Sequence, residues 1–247
     1  MREVTVEEKY LPTLGKPSYM IVGLPDAGLV GVIATEFLVN KLNMKSFASL
    51  KVRDNASIAY IDDSVAVSPF QFYHDSNLVV FHSWVAIPSH MADRIASVIV
   101  EYAEKLGVST IISLTGVPVP NRLDLDKLNM YYIVNDESLK NELSAFEELK
   151  PFGRGYMVGP YAPLLLEAKA KGLKNFAIVV ESFLDLPDPE ASATALQFIA
   201  KYVGISLDTG ELLQEAEEIR AKIKGLMEQT KEEMRNYMSG RGPLTYT

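Results

Sequence analysis

The sequence predicts an α/β fold, because short apolar runs alternate with longer segments of helical periodicity. Residues 19–22 and 176–180 have the length and the β-branched or aromatic content of buried strands. Segments such as residues 189–203 carry apolar side chains on one helical face. Because crossover helices join parallel strands, we expect a three-layer α/β/α sandwich around a parallel or mixed sheet.

The remaining elements follow in order from the same periodicities. The first strand leads through a glycine-rich turn into a helix over residues 29–40. Pro88 suits the first turn of the next helix, where a missing N–H costs nothing, and Gly107 and Gly172 suit helix ends. Further strands are expected over residues 47–52, 57–61, 64–67, 77–85, 110–114 and 131–134, and further helices over residues 88–106, 137–149 and 163–171.

Composition narrows the class of protein and of partner. The chain has 247 residues, 48% of them hydrophobic, which suffices for one large domain with a sizeable core. Its formal net charge of −8 repels phosphate backbones and anionic lipids, so we expect neither nucleic acid nor membrane partners. The absence of cysteine excludes disulfides, thiolate nucleophiles and zinc–thiolate sites. Without a signal-peptide run or an apolar stretch of about 18 residues, the expected location is cytoplasmic.

Residues 208–238 form a highly charged segment that we interpret as one long C-terminal helix. Asp208 and Glu211 have the spacing of a capping box at its start. The apolar residues of this segment form a narrow stripe along the helix. A narrow apolar stripe suits a coiled-coil seam, so we favour a helix that projects into an oligomer. The competing interpretation is a helix that packs along its own domain. The stripe, with a mean spacing of about 3.6 residues, consists of Leu212, Ala216, Ile219, Ile223, Leu226, Met227, Met234 and Tyr237.

Residues 239–247 are predicted to be a flexible tail, because two glycines and a proline cannot continue the helix. The tail ends in Leu244, Thr245, Tyr246 and Thr247. An aromatic side chain near a terminal carboxylate can insert into a partner's pocket, although a disordered end without a function is the simpler interpretation. The chain is thus divided into an α/β core over residues 1–207, the helix and the tail.

The glycine-rich turn over residues 23–31 is the main argument for a nucleotide-binding protein. A strand, a glycine-rich turn and a helix form the setting in which backbone N–H groups bind phosphate. Gly23 and Gly28 have the spacing of a Walker glycine pair, but Leu29 and Val30 stand where lysine and serine or threonine are required. Asp26 would repel a phosphate. The alternative is a tight turn that needs glycine for its backbone angles and close packing.

No complete catalytic set emerges from the remaining polar residues. Asp26, Thr115 and Glu181 follow strands and would meet at the carboxyl edge of the sheet, where α/β ligand sites lie; acidic residues there are also ordinary helix caps. No histidine spacing matches a helical metal pair, and no G-x-S-x-G motif is present. We therefore assign no catalytic residue, cofactor or metal ligand. The three histidines are His74, His82 and His90.

Four sequence blocks in a fixed order carry a family resemblance. The most specific is GLPDAGLVG at residues 23–31, followed by TGVPVP at 115–120, GYMVGP with LLLEA at 155–168, and PDPEA at 187–191. Over roughly residues 15–225 they resemble the proteasome assembly chaperone family, of the type named for its second chaperone subunit and widespread in archaea. The residues of the first block that match the family turn are Gly23, Pro25, Asp26, Gly28 and Gly31.

The resemblance implies a phosphorylase/hydrolase-like fold without that class's catalysis, and a homo-oligomer, a tetramer or pentamer. It implies a role in proteasome assembly or activation, with the α-ring of the proteasome core particle or a related assembly factor as partner. Members that engage the core insert a C-terminal motif of a hydrophobic residue, a tyrosine and any residue. Here Tyr246 is penultimate, Thr245 replaces the hydrophobic residue, and Leu244 lies one position earlier. The competing function is a small-molecule or nucleotide-binding enzyme that uses residues 23–31.

Overall fold

The structure is a computed structural model that describes residues 4–53, 58–214 and 216–239. The strands are β1 Val4–Glu8, β2 Tyr19–Gly23, β3 Lys45–Val52, β4 Tyr60–Asp62, β5 Val65–Val67, β6 Phe70–Asp75, β7 Leu78–Ser83, β8 Thr110–Pro118, β9 Met130–Val134, β10 Leu149–Pro151 and β11 Lys174–Ser182. The helices are α1 Val30–Lys41, α2 Ala92–Leu106, α3 Glu137–Leu143, α4 Tyr161–Ala170, α5 Pro189–Val203, α6 Gly210–Gln214, α7 Ala216–Lys222 and α8 Lys224–Ser239.

Among these residues the main sheet has nine strands in the order β1-β3-β6-β7-β2-β8-β11-β9-β10. Its centre, from β7 through β2 and β8 to β11, is parallel. On one side β7, β6, β3 and β1 pair antiparallel, and on the other β9 runs antiparallel to β11. A separate hairpin, β4–β5, lies outside this sheet. The sequence predicted a parallel or mixed sheet, and the sheet observed is mixed.

Helices cover both faces of the sheet, and alternate residues of each strand separate the two cores. Ile21 belongs to the core beneath α1 and α5, whereas Met20 and Val22 belong to the core beneath α2 and α4. This alternation is the two-residue period of a strand buried on both faces. The three-layer α/β/α architecture follows directly from it.

Most predicted elements are present, and α5 has the predicted bounds. The predicted helix over residues 137–149 is wrong in its second half, because α3 ends at Leu143 and Leu149–Pro151 pairs with β9 at the sheet edge. Strands β1 and β6 were not predicted. Both are short and carry polar residues among apolar ones, and pairing with β3 on one side contributes to the state of each.

Within the predicted long C-terminal helix, α7 ends at Lys222 and α8 begins at Lys224. Asp208 accepts a hydrogen bond from the Gly210 N–H at 2.9 Å, whereas Glu211 pairs with Lys41 of α1. The start of the segment is thus capped, but Glu211 does not complete the predicted capping box.

The interpretation of this segment as a projecting helix is wrong for the chain as described. Periodicity identified the apolar face, but not the surface that covers it. Helix α5 contacts α6 and α7, and Ile33 and Phe37 of α1 line one groove with Leu212 and Ile219. In the seam, Ala216, Ile219 and Met234 are half-buried, and Tyr237 packs against the core beneath α2 and α4. Four seam residues are buried in the core beneath α1 and α5: Leu212, Ile223, Leu226 and Met227.

Helix α8 crosses the carboxyl edge of the parallel strands. Its first turn lies in the core of the α1/α5 face, and Tyr237 near its end reaches the core of the α2/α4 face. On the way it contacts two short 3-10 helices, Ala27–Leu29 and Ser89–Met91. None of the described helices is long and apolar enough to span a bilayer. The predicted tail residues Leu244, Thr245, Tyr246 and Thr247 lie outside the described residues.

Candidate functional site

The carboxyl edge of β2, β8 and β11 brings together two of the three polar residues predicted to meet there. The Thr115 hydroxyl of β8 donates a hydrogen bond to Asp26 Oδ2 at 2.7 Å, and both residues are buried. Glu181 of β11 does not join them, because its carboxylate accepts hydrogen bonds from the backbone N–H and the side-chain amide of Asn129. The edge therefore holds a carboxylate–hydroxyl pair rather than a triad.

The glycines of the 23–31 turn serve close packing. A Cβ at Gly23 would lie 2.1 Å from Thr35 Oγ1, and one at Gly31 would lie 2.3 Å from the carbonyl oxygen of Leu114. Gly28 has φ of 64°, in the region that glycine adopts without strain. Residues 21–34 are all buried. These contacts favour the interpretation in which the glycines of the turn allow close packing.

Several backbone groups of this turn are already paired within the chain. The Leu29 N–H donates to the Asp26 carbonyl at 2.9 Å, and the Val30 N–H donates to the Ala27 carbonyl. The Asp188 N–H in turn donates to the Gly28 carbonyl at 2.8 Å, which closes the turn against the start of α5. A phosphate cradle needs several free N–H groups that converge on one point. These contacts disfavour a nucleotide site at residues 23–31.

Helix α8 closes the edge from outside. The Tyr237 hydroxyl donates to the Ile87 carbonyl at 3.1 Å, and Glu233 accepts a hydrogen bond from the Ser89 N–H at 3.0 Å. Thus the crevice in which α/β folds usually bind ligands is covered by the chain's own C-terminal segment.

A buried ion cluster lies beside the turn, and sequence analysis did not identify it. Arg122 donates to both carboxylate oxygens of Asp188, at 2.8 and 2.9 Å, and to Glu190 at 2.7 Å. Its guanidinium also lies 5.0 Å from the centroid of the Phe183 ring. Arg122 lies in a short 3-10 helix, Arg122–Asp124, far along the chain from Asp188, so the only local signal was the capping pattern of residues 187–191. The bidentate geometry and the full burial of Asp188 indicate a structural role.

The histidines do not form a group. His82 is buried beside Thr35, His74 lies 2.9 Å from the Tyr10 hydroxyl, and His90 is exposed. Within the described ranges, no three His, Cys, Asp or Glu side chains are placed to hold a metal ion.

The burial of Asp26 makes the stability of the folded protein depend on pH. Burial raises the pKa of Asp26 to about 6, against the hydrogen bonds from Thr115 and from the backbone N–H of Ala27, which lower it. Because the folded-state pKa lies above the ordinary value of 3.8, the folded protein binds this proton more tightly than the unfolded chain does. The resulting stabilisation is complete below about pH 4 and is lost as the pH rises through about 6.

We expect the Asp26→Asn variant to gain stability relative to the natural chain as the pH rises from 4 to 7.5. The difference in free energy of unfolding should change by about 2–3 kcal/mol over that range. Urea unfolding at several pH values, with both proteins in parallel, measures it. Asp124→Asn, at an exposed carboxylate, serves as the control and should show no such change; an equal change in both variants would contradict the assignment to Asp26.

With this geometry established, comparison with known proteins gives the family. The model of the PAC2 family matches residues 20–227. The chain belongs to the PAC2 family. This confirms the predicted resemblance, and the family-matching residues Gly23, Pro25, Asp26, Gly28 and Gly31 all lie within the matched range and within the buried turn.

Relatives of this PAC2-family chain align with it over most of its length. An uncharacterized protein of Methanocaldococcus jannaschii is 25% identical over 210 residues, which cover 85% of each chain. The crystal structure of Pyrococcus furiosus PbaA, described as an archaeal homolog of proteasome-assembly chaperone, has a TM-score of 0.84 and 28% identity, covering 93% of this chain and 99% of PbaA. Pyrococcus furiosus PbaB, described as an archaeal proteasome activator, has the same fold, with a TM-score of 0.77 and 23% identity over 92% and 99% of the two chains.

Proposed function

We propose that this PAC2-family protein acts by binding other proteins, as a proteasome-assembly chaperone or a proteasome-interacting factor, and that it is not an enzyme. The observation that carries the proposal is the likeness to PbaA, at a TM-score of 0.84 over 93% of the chain. A cytoplasmic location is expected for the same role. The partner is the α-ring of the proteasome core particle or a related assembly factor.

The closed carboxyl edge supports protein binding over the competing enzyme function. In a nucleotide-binding α/β protein, the turn after the first strand presents free N–H groups to an open crevice. Here Asp26 is buried, the Gly28 carbonyl is paired with the Asp188 N–H, and α8 lies over the edge. A ligand in this place would have to displace α8.

We further propose that the protein is a homo-oligomer, a tetramer or pentamer. Support comes from exposed apolar side chains: Leu184 and Leu186 are each 54% exposed, and Met238 at the end of α8 is 65% exposed. Leu184, Met234 and Met238 line one groove along α8. Exposed apolar side chains that share a groove are typical of a protein-contact surface. Of the predicted seam, Met234 thus remains available for contact between copies.

The proposed contact with the proteasome is the C-terminal segment Leu244, Thr245, Tyr246 and Thr247. Several such segments on one oligomer gain avidity if they reach their pockets together, because binding after the first contact is intramolecular. Avidity would offset the weaker apolar contact that Thr245 provides in place of a hydrophobic residue.

Deletion of residues 244–247 is expected to abolish co-purification with a purified archaeal proteasome core particle. Light scattering of the same protein should show an unchanged oligomer mass, since the deleted residues are proposed to contact only the proteasome. Tyr246→Ala should reproduce the loss, whereas the matched substitution Tyr156→Ala, at a tyrosine 67% exposed on the body, should not.

The possible results separate the parts of the proposal. Undiminished binding by the truncated protein would contradict the role of the tail. Failure of the natural chain to bind the core would contradict the proposed partner. A monomer in light scattering would contradict the oligomeric body.

A further inference from the structure

A cavity on the α1 side of β7 is distinct from the closed carboxyl edge. It has a volume of about 380 Å³, within the range of small-molecule sites in proteins. The C-terminal part of α1, the turn after it, strands β6 and β7 and the β4–β5 hairpin all contribute to its wall. Its polar and aromatic lining residues are Glu36, Asn40, Asn43, Tyr60, Asp62, Tyr73, His82 and Trp84.

His82 supplies this cavity with a buried hydrogen-bond acceptor. The Thr35 hydroxyl lies 2.8 Å from the Gly31 carbonyl oxygen, so it must donate to that oxygen and accept from His82 Nδ1, also at 2.8 Å. His82 Nδ1 therefore carries the proton, and Nε2 has a free lone pair. Burial lowers the pKa of His82 to about 4, so the ring stays neutral at pH 7. His82 is 1% exposed, and its Nε2 has no partner among the described residues.

Trp84 adds a buried donor and an aromatic wall. Its Nε1–H is likewise buried without a partner in the described part of the chain. The indole ring is stacked against Tyr60 of the hairpin, with ring centroids 4.2 Å apart, and lies edge-on to His82 at 4.3 Å. A buried donor and a buried acceptor side by side each cost free energy when unpaired. A molecule that pairs with both would remove that cost.

The charge of the lining selects the kind of molecule. Glu36 and Asp62 contribute carboxylates, and none of the lining residues is a lysine or arginine. Lys222 of α7 pairs with Glu36 at 3.0 Å from outside the lining. Both carboxylates raise the pKa of Tyr73, after the larger effect of its burial, so their fields reach the cavity wall. Carboxylates beside aromatic rings are a recognition pattern for organic ammonium ions.

We propose that this cavity binds a hydroxylated organic ammonium ion, of the amino-sugar or amino-alcohol class. Its ammonium group interacts with Glu36 and Asp62 and with the aromatic walls. One hydroxyl donates to His82 Nε2, and another oxygen accepts from the Trp84 Nε1–H. The site is independent of the proposed proteasome contact, which involves neither α1 nor β7.

Trp84 is the single tryptophan of the chain, so its fluorescence reports directly on the cavity. We expect titration with glucosamine to change the emission saturably, with at least tenfold tighter binding than the neutral isostere glucose. Ethanolamine should bind more weakly than glucosamine, but more tightly than ethylene glycol. Equal binding of the charged and neutral members of both pairs, or no saturable response to either amine, would overturn the proposal.

Three substitutions test the assigned groups. Asp62→Asn and Glu36→Gln should each weaken glucosamine binding by about tenfold or more, whereas the exposed control Glu137→Gln on α3 should leave it unchanged. Lys222→Met should tighten binding, because it removes a cation that competes for Glu36. Weaker binding by Lys222→Met, or unchanged binding by both carboxylate variants, would contradict an ammonium site. Thermal unfolding of each variant confirms that it is folded before titration.

Discussion

Asp188→Ala is expected to lower the free energy of unfolding by about 3–5 kcal/mol, because it leaves the buried charge of Arg122 with only the half-exposed Glu190 as an ionic partner. The Asp188 side chain is fully buried, and that of Arg122 is 5% exposed. The same carboxylate accepts hydrogen bonds from the backbone N–H groups of Phe183 and Ala191, both at 3.1 Å, so the substitution also removes the cap of α5. Urea unfolding at pH 7 measures the loss.

Two further variants isolate the cause. Glu190→Gln removes only the charge of the outer partner of Arg122, on a side chain that is 49% exposed, and should cost at most about 1 kcal/mol. The double variant Arg122→Met with Asp188→Ala should be more stable than Asp188→Ala alone, because no buried charge remains. If the double variant is less stable than Asp188→Ala, the loss comes from packing and capping rather than from the guanidinium that has lost Asp188.

Gly31→Ala is the second substitution with a large expected effect, a loss of at least about 3 kcal/mol or failure to fold. The added Cβ would lie 2.3 Å from the Leu114 carbonyl oxygen and 2.5 Å from the Tyr161 hydroxyl oxygen. Neither atom moves freely, because Leu114 lies in a central strand and the Tyr161 hydroxyl accepts a hydrogen bond from the Leu24 N–H at 2.7 Å. Helix α1 would have to move away from the sheet. Circular dichroism and denaturant unfolding measure the effect.

The chain provides a matched control at Gly225, in the first turn of α8. A Cβ there would meet nothing within 4 Å. Gly225→Ala should therefore raise stability by about 0.5–1 kcal/mol, as alanine favours the helix over glycine. A similar loss in both variants would mean that the contacts of Gly31 are not the cause of its sensitivity.

Close packing at the turn connects the fold with the proposed function. In a nucleotide-binding protein the space beside this turn stays open for the phosphate. Here Thr115 contacts Asp26 and the backbone of Asp188 contacts Gly28, so that space is occupied. Helix α8 then covers what remains of the edge. The same positions that carry the PAC2 resemblance are thus explained by the packing of α1 on the sheet, with no need for a ligand.

The amino-acid sequence alone determined most of the order of strands and helices, a sheet covered by helices on both faces, and the family. These properties depend on local patterns: the two-residue and 3.6-residue periods, and glycine or proline at element ends. Helix α5 illustrates this, since its cap Asp188, its first proline and its C-terminal Gly204 all lie within or next to it.

Only the tertiary structure decided which distant groups meet and which surface covers the apolar seam. Arg122 and Asp188 lie 66 residues apart, and Asp26 and Thr115 lie 89 residues apart, so their contacts depend on the strand order. The seam from Leu212 to Tyr237 packs on its own domain, because α5 contacts α6 and α7 while Tyr237 reaches the core beneath α2 and α4. The cavity with His82 and Trp84 likewise exists only because α1, β7 and the β4–β5 hairpin are brought together in space.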